Sequence, residues 1–365
     1  MYTGNIDELL GCELPIIQAP MAGVQDSELA IAVCQAGGLG SLPCAMLSAD
    51  GMVEEIKLIQ RSTDKPFNLN FFCHSMPAFD PGKQQRWQTI LSPYFQQLNA
   101  ELPAAENGAN RMPFSHDIAD AIEPFHPRVL SFHFGLPEPV LLKRIQHWDC
   151  TILASATTLQ EAHWLEARGV DAIIAQGVEA GGHRGMFLSQ DTSTQISTTA
   201  LVPQIAQQVR VPVIAAGGIA DSRGIQAALM LGASAVQLGT AYLLCTEAKT
   251  SSLHRAAIKS ERSQHTALTN LFSGRPARGI VNRLMSEQGY LSDSVADFPY
   301  AASEVTALRK LAESQGLDDF SPLWCGQNPS GCVEISAAEL TLLLACESGM
   351  IDCQYLHDEP YPYSI

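Results

Sequence analysis

The sequence predicts an α/β chain: a TIM (β/α)8 barrel carrying an inserted smaller, mostly helical lid domain. Three observations lead there. Eight short apolar runs alternate with helical segments along the chain. The runs are apolar throughout, as the strands of a parallel sheet are when both of its faces are covered. Polar and glycine residues follow the runs, at the end of the strands where eight-stranded barrels place their sites.

The expected strands are 15–19 (PIIQA), 38–43 (GLGSLP), 67–72 (FNLNFF) and 129–134 (VLSFHF), then 151–156 (TILASA), 172–176 (AIIAQ), 211–216 (VPVIAA) and 235–239 (AVQLG). Helices are expected at Ser27 to Ala36, Ala49 to Gln60, Glu138 to His147, Thr158 to Arg168 and Asp221 to Leu231. Thr157 or Thr158, and Asp221, carry short side-chain oxygens suited to capping the free N–H groups of a helix start. A doubly wound nucleotide-binding sheet would need GxGxxG after its first strand. Here that strand runs into APMAGV with the single glycine Gly23, and the cluster Gly37-Gly38-Leu39-Gly40 lies before a strand, as a helix C-cap and turn would. Residues 225–246 carry no charge, but Gly232 and Gly239 divide them into a helix, a turn and a buried strand rather than a membrane span.

Two segments break the rhythm. Residues 76–126 form a Pro-rich insertion with a helix candidate at Lys83 to Leu98. Residues 247–326 exceed one crossover helix and hold helix candidates at 247–262 and 303–314. The division expected is a barrel over 1–246 and 327–365, including the insertion 76–126, and a lid or substrate domain over 247–326. The segment Ser336 to Ser348 is expected to return as the closing helix.

Composition narrows the function classes. The 22 Lys+Arg against 38 Asp+Glu give a net charge of −16, unsuited to nonspecific binding of nucleic acid or anionic lipid. The 10 cysteines contain no CxxC pair, and the histidines show no ligand-like pairing, so no metal site is expected. The opening MYTGNIDELLGCEL has no basic stretch leading into an apolar run, so a cytoplasmic protein with reduced thiols is expected. No partner beyond small molecules is indicated, and a monomer or homodimer is expected.

The candidate site lies at the C-terminal ends of the strands. AAGGI followed by QLGTA matches the way barrels bind phosphate, with glycines letting backbone N–H groups approach the oxygens. That pair fits a flavin phosphate or a phosphorylated substrate equally. Asn70 and Gln176 are amides at strand ends, able to donate and accept toward an isoalloxazine edge or toward loop backbones. His183, in GGHRG, is flanked by glycines that leave its imidazole open to a ligand, as a general base or as part of the phosphate loop. His133, in SFHFG, points into the barrel mouth or packs beneath it, and Arg184 either adds positive potential there or faces solvent.

The ordered set QAPMAGV, FNLNFF, SFHFG, GVEAGGHRG, AAGGIAD and QLGTAYL, with WQTILSPYF and FSPLWCGQNPSG, resembles the nitronate monooxygenases, formerly called 2-nitropropane dioxygenases. The likeness runs from Pro15 to about Ala345 and favours the class acting on propionate 3-nitronate. It implies an FMN-dependent oxidoreductase that oxidises a nitronate with O₂ to a carbonyl compound and nitrite, through one-electron transfer to the flavin. It implies FMN contacts from Met21, Ala22, Asn70, Gln176, Gly181, Gly218, Gln237, Leu238, Gly239 and Thr240. It places His183 beside the substrate as the catalytic residue, with His133 and Tyr300 in the substrate pocket. Detoxification of nitroalkanes is the role this implies. The alternatives are an FMN-dependent NAD(P)H enoyl-thioester reductase, a flavin-independent barrel isomerase using the phosphate site, and a noncatalytic flavin-binding module.

Overall fold

The computed structural model describes residues 6–103 and 111–353. Its strands are β1 (Ile16–Gln18), β2 (Ser41–Pro43), β3 (Asn68–Phe72), β4 (Val129–His133), β5 (Thr151–Ala156), β6 (Ala172–Gln176), β7 (Gly182–His183), β8 (Val213–Ala216), β9 (Ala235–Leu238), β10 (Thr266–Thr269) and β11 (Ala277–Ile280). Eight of them form one parallel sheet in the order β1-β9-β8-β6-β5-β4-β3-β2. Its two edges meet one step ahead of β2. Ile17 bridges Leu39, the Leu39 N–H donates to the Ile16 carbonyl at 2.9 Å, and the Gln18 N–H donates to the Leu39 carbonyl at 3.0 Å. The sheet is therefore a barrel, and the eight predicted runs are its eight strands.

Period-two alternation sorts each strand into two faces. Ile17, Val129, Leu153, Ile174 and Ile214 share an inner core, closed from below by Ile6 and Leu10 of the N-terminal helix Ile6–Leu10. Their neighbours Ile16, Leu130, Ile152, Ile173 and Val213 face outward into the larger core beneath the helices. The helix starts match the sequence: Thr158 accepts from the Glu161 N–H, and Asp221 from the Gly224 N–H. Ser336 and Glu339 form a capping box at Ala337–Glu347. That last helix packs beside Ser27–Gln35 and Ser222–Met230, and Thr341 on it meets the Tyr242 hydroxyl at 2.8 Å. It is the closing helix. A helix the sequence did not announce, Thr198–Ala206, connects β6 to β8; Pro203 within it hides the helical pattern.

A second apolar core lies over the C-terminal ends of the strands. Trp87, Leu91 and Phe95, from the helix Pro81–Gln97, join Phe272, Leu308 and Phe320. The buried Glu304 carboxylate accepts from Gln84 Nε2 at 2.7 Å and from Gln88 Nε2 at 2.8 Å, and Lys83 pairs with Asp297 at 2.7 Å. The insertion helix and the segment after β9 thus share one core. This cap is not helical alone: β10, β11 and β7 form an antiparallel sheet that ties it to the loop after β6. The expected helix over 247–262 is shorter, Ser252–Ile258, followed by a 3₁₀ turn at Glu261–Gln264.

The expectation that all thiols are reduced meets one exception. Cys346 and Cys353 are disulfide-bonded, because the chain turns back after the last helix and brings their Cα atoms to 5.1 Å. The charge-free stretch 225–246 is split into helix Ser222–Met230, a turn and β9, as expected, and no helix among the described residues is long and apolar enough to cross a membrane.

Candidate active site

The same alternation that fills the barrel decides what faces its mouth. Following the inner residues upward, β3 presents Asn70 and Phe72, β4 His133, β5 Ser155, β6 Gln176, β8 Ala216 and β9 Gln237. All of these line one cleft between barrel and cap. Leu238 has the opposite parity, is 1 % exposed and lies in the outer core, so its side chain is kept from the cleft.

Glycines shape the floor. Gly217 and Gly218 have φ of +118° and +72°, conformations that L side chains rarely adopt. Beneath them Thr198 Oγ1 donates to the Gly217 carbonyl at 2.9 Å, and the Glu179 carboxylate accepts from the Thr198 N–H at 2.9 Å. Asn328 Nδ2 donates to the Gly218 carbonyl at 3.1 Å, and Thr240 Oγ1 accepts from the Gly326 N–H at 2.9 Å. Gly181 is glycine for a different reason: a Cβ there would lie 2.7 Å from the backbone of Cys325 and Gly326. Gln237 Oε1 is buried with no hydrogen-bond partner, an acceptor that costs stability unless a ligand donates to it.

The His183 loop is fixed by backbone contacts. Gln176 Nε2 donates to the His183 carbonyl at 3.0 Å and Gln176 Oε1 accepts from the Gly185 N–H at 2.7 Å. His133 Nε2 lies 3.1 Å from the same carbonyl, and its Nδ1 lies 3.0 Å from Ser155 Oγ. Gln176 therefore spends its amide on loop backbone, the second of the two roles its position allowed. Asn70 Nδ2 is likewise bound, to Ser131 Oγ at 2.9 Å. Arg184 neither faces solvent nor enters the cleft. It is 1 % exposed, donating to the carbonyls of Gln176 and Gly177 at 2.7 and 2.6 Å and to Gln195 Oε1 at 2.9 Å.

The His183 ring stands among aromatic rings of the cap and strand ends, with Trp324, Phe298, Phe72 and Phe134 at 5.6 to 6.0 Å. Its Nε2 is 2.8 Å from Ser273 Oγ. Burial, then the nearby Arg111, His133 and Arg275, hold its pKa well below the usual imidazole range. Burial likewise lowers His133 to about 4 and His74 to about 4. At neutral pH these rings are uncharged, and the positive charge in this region belongs to the arginines.

Of the site residues expected from the sequence, Met21, Ala22, Asn70, Gln176, Gly181, Gly218, Gln237, Gly239, Thr240, His133 and His183 all line the cleft. Tyr300 does not: its hydroxyl donates to the Pro77 carbonyl at 3.2 Å and its ring packs on Phe79. Sequence reasoning did not single out Phe72, Arg111, Trp324 and Asn328, which also line it, nor Ser273, Arg275 and Phe298 around His183. Trp324 and Asn328 sit within FSPLWCGQNPSG, so that motif held a signal. Phe72 likewise closes FNLNFF, while Arg111, Ser273, Arg275 and Phe298 lie in none of the motifs that carry the resemblance.

Comparison with known proteins gives the family. The family description "Nitronate monooxygenase" matches residues 5–346. A nitronate monooxygenase of Pseudomonas aeruginosa is 41 % identical over 348 residues, covering 94 % of this chain and 99 % of that protein. A probable nitronate monooxygenase of Bacillus subtilis is 38 % identical, covering 91 % of this chain and 95 % of that one. Among solved structures, a nitroalkane oxidase of Streptomyces ansochromogenes superposes with a TM-score of 0.85 at 37 % identity, covering 94 % of this chain and 98 % of that one. FabK of Thermotoga maritima superposes at 0.71 with 26 % identity, covering 94 % and 96 %. Matched across nearly its whole length, this chain is an enzyme that belongs to the nitronate monooxygenase family.

Proposed function

We propose that the enzyme oxidises alkyl nitronates, with propionate 3-nitronate as the favoured substrate, using FMN and O₂ to give a carbonyl compound and nitrite. The observation that carries this reading is a His183 ring anchored 2.8 Å from Ser273 Oγ and lining the same cleft as an unsatisfied buried acceptor, Gln237 Oε1. The residues fit a flavin mononucleotide. Gln237 would accept from a ring N–H, Asn70 would flank the ring, and Gly217, Gly218, Gly239 and Thr240 would hold the phosphate. Met21 and Ala22 would cover it from the first strand loop. When bound, FMN supplies one-electron acceptance from an electron-rich nitronate and delivery to O₂, chemistry that no side chain here provides.

The chain's own residues do the rest. Gln176 and His133 grip the His183 carbonyl, and Ser273 holds its Nε2, so the imidazole is oriented before substrate arrives. A ring held well below its usual pKa is a weak base. It suits hydrogen bonding to a substrate that is already ionised better than proton abstraction from a neutral nitroalkane. The cap, read as a lid over 247–326 together with the insertion helix, would exclude bulk water from the seam.

The test is O₂ consumption by the purified protein, scanned for bound flavin, on propionate 3-nitronate, with an NADH-only control. Rapid uptake with nitrite release and an idle control is expected. A yellow protein that ignores the nitronate but oxidises NADH would move the enzyme to the enoyl-thioester reductases. His183→Asn is expected to lower kcat/KM by roughly 10²–10³-fold, as loss of a charge-stabilising hydrogen bond does, while retaining flavin; wild-type kinetics would remove His183 from the reaction.

A further inference from the structure

The glycine turn after β8 is held from two sides by residues distant in sequence. Thr198 Oγ1 donates to the Gly217 carbonyl at 2.9 Å, and Asn328 Nδ2 donates to the Gly218 carbonyl at 3.1 Å. Both pins are themselves fixed. The Glu179 carboxylate accepts from the Thr198 N–H at 2.9 Å, and its Oε2 lies 3.0 Å from the Thr198 hydroxyl, whose one proton bridges that oxygen and the Gly217 carbonyl. Asn328 Oδ1 accepts from Ser330 Oγ at 2.7 Å, which leaves the amide nitrogen facing Gly218. The Glu179 carbonyl accepts from the Gln327 N–H at 2.9 Å, so one residue ties the two pins together.

Pinning a carbonyl also aims an N–H. In a trans peptide the C=O and the N–H that follows it point in opposite directions, and the cis bond among the described residues is Phe298–Pro299. The Gly217 carbonyl is turned down to Thr198, a buried residue that does not line the cleft. The Gly218 N–H is thereby turned the other way, toward the cleft that Gly218 lines. Among the described residues that N–H donates to no acceptor, and neither does the Ile219 N–H that follows the second pinned carbonyl. The two pins grip the peptide planes on either side of the Gly218 Cα and so fix its φ of +72°. A glycine has more backbone freedom to lose than any other residue, and an unpinned turn would have to be ordered each time a ligand bound. Successive N–H groups held open at a strand end form a concavity suited to an anion.

We infer that Thr198 and Asn328 are positioning residues: they hold the Gly218 and Ile219 N–H groups ready for the phosphate of the flavin, and they give the enzyme a preference for FMN over flavins without a phosphate. Their effect passes through the backbone of the turn, so it falls on cofactor affinity and leaves the chemistry at His183 alone. The inference rests on the FMN reading proposed above. It extends the cofactor site into two segments that no barrel strand supplies, the start of the helix Thr198–Ala206 and the loop after Trp324. That loop also clamps the other half of the glycine floor, through the Gly326 N–H on Thr240 Oγ1 at 2.9 Å.

The experiment titrates the full chain, freed of flavin, with FMN and with riboflavin, which differs by the phosphate alone, and follows quenching of flavin fluorescence. Wild type is expected to bind FMN more tightly than riboflavin. Thr198→Val and Asn328→Ala are each expected to weaken FMN binding roughly tenfold, the scale of one lost hydrogen bond that leaves a carbonyl unpaired, and to change riboflavin binding less than about twofold. Thr198→Ser, which returns the hydroxyl, is expected to restore FMN binding. Equal weakening of both flavins, unchanged FMN binding, a wild type that holds both flavins equally, or a serine variant no better than valine would overturn the assignment. Circular dichroism melts check folding. Asn328 is half-buried on a loop, so its variant tests the second pin even where Thr198→Val does not fold. Should wild type bind neither flavin, the proposed function fails, and calorimetry with inorganic phosphate decides the cradle instead. Phosphate binding weakened by either substitution supports it, and binding that is absent or indifferent to both rejects it.

Discussion

The two walls of the cleft are built differently. The barrel wall is made of strand ends, where inward parity and a glycine turn fix what each residue presents: Asn70, Gln176, Ala216, Gln237 and the Gly217–Gly218 backbone. The cap wall is made of side chains from distant segments, Arg111 and Trp324, with Phe298 beside the His183 ring. The barrel wall offers backbone and amide groups, which suit a constant partner such as a cofactor. The cap wall offers charge and aromatic surface, which suit discrimination among substrates. On the reading proposed above, the part that would hold the cofactor and the part that would choose the substrate are separate pieces of the chain.

The comparison is most easily broken by acid. The unfolded chain takes up protons on His74, His133 and His254 near pH 6.5, but burial holds each back to about 4 in the fold. Stability therefore holds above pH 6.5 and is lost as pH falls toward 4. By pH 5 the loss is of order 1–2 kcal/mol for each ring, roughly 5 kcal/mol together. Thermal melts at pH 7 and pH 5 check it, and a melting temperature unchanged between them would mean that the rings are not held neutral.

Trp87→Ala acts on the cap alone. Trp87 is fully buried and donates to the Ala301 carbonyl at 3.2 Å, so its removal is expected to cost about 3–5 kcal/mol. If the two cores are separable, calorimetry will split into an early cap transition and a later barrel transition. A single shifted transition would show that they unfold together.

Gln176→Leu tests the barrel wall. It leaves the His183 carbonyl and the Gly185 N–H without their amide partner, at about 1–3 kcal/mol. Nitronate turnover is expected to fall more than flavin content does, because the amide positions the His183 loop. Loss of flavin with unchanged turnover per bound flavin would return Gln176 to the ring-contact role. Smallest of all, Thr341→Val removes a buried hydroxyl that donates to the Ala337 carbonyl at 2.7 Å and meets the Tyr242 hydroxyl in the outer core. About 1 kcal/mol of stability should go, with kinetics intact.

Much of the barrel wall was legible because its information is local. Alternation places side chains on faces, glycines mark the turns, and both are visible within ten residues of sequence. The cap wall was legible only in part. FSPLWCGQNPSG brought Trp324 and Asn328 into view, but nothing near Arg111 or Arg275 says that they meet at His183. Arg184 shows the opposite failure: its neighbours in GGHRG suggested a ligand, yet its guanidinium is consumed by the carbonyls at the end of β6. Tyr300 sits in the expected segment, but the cap turns its hydroxyl to Pro77.

By itself, the sequence determined the eight strands, their inward residues, the glycine floor and the position of His183, since each follows from short-range periodicity and backbone conformation. Only the tertiary structure decided that the insertion helix shares a core with residues beyond β9, that Gln176 and Arg184 serve the loop, and that Arg111 and Trp324 line the cleft. Those outcomes depend on contacts between segments separated by up to 220 positions, such as Gln84 with Glu304. They are settled by which surfaces pack together, and no local pattern encodes that choice.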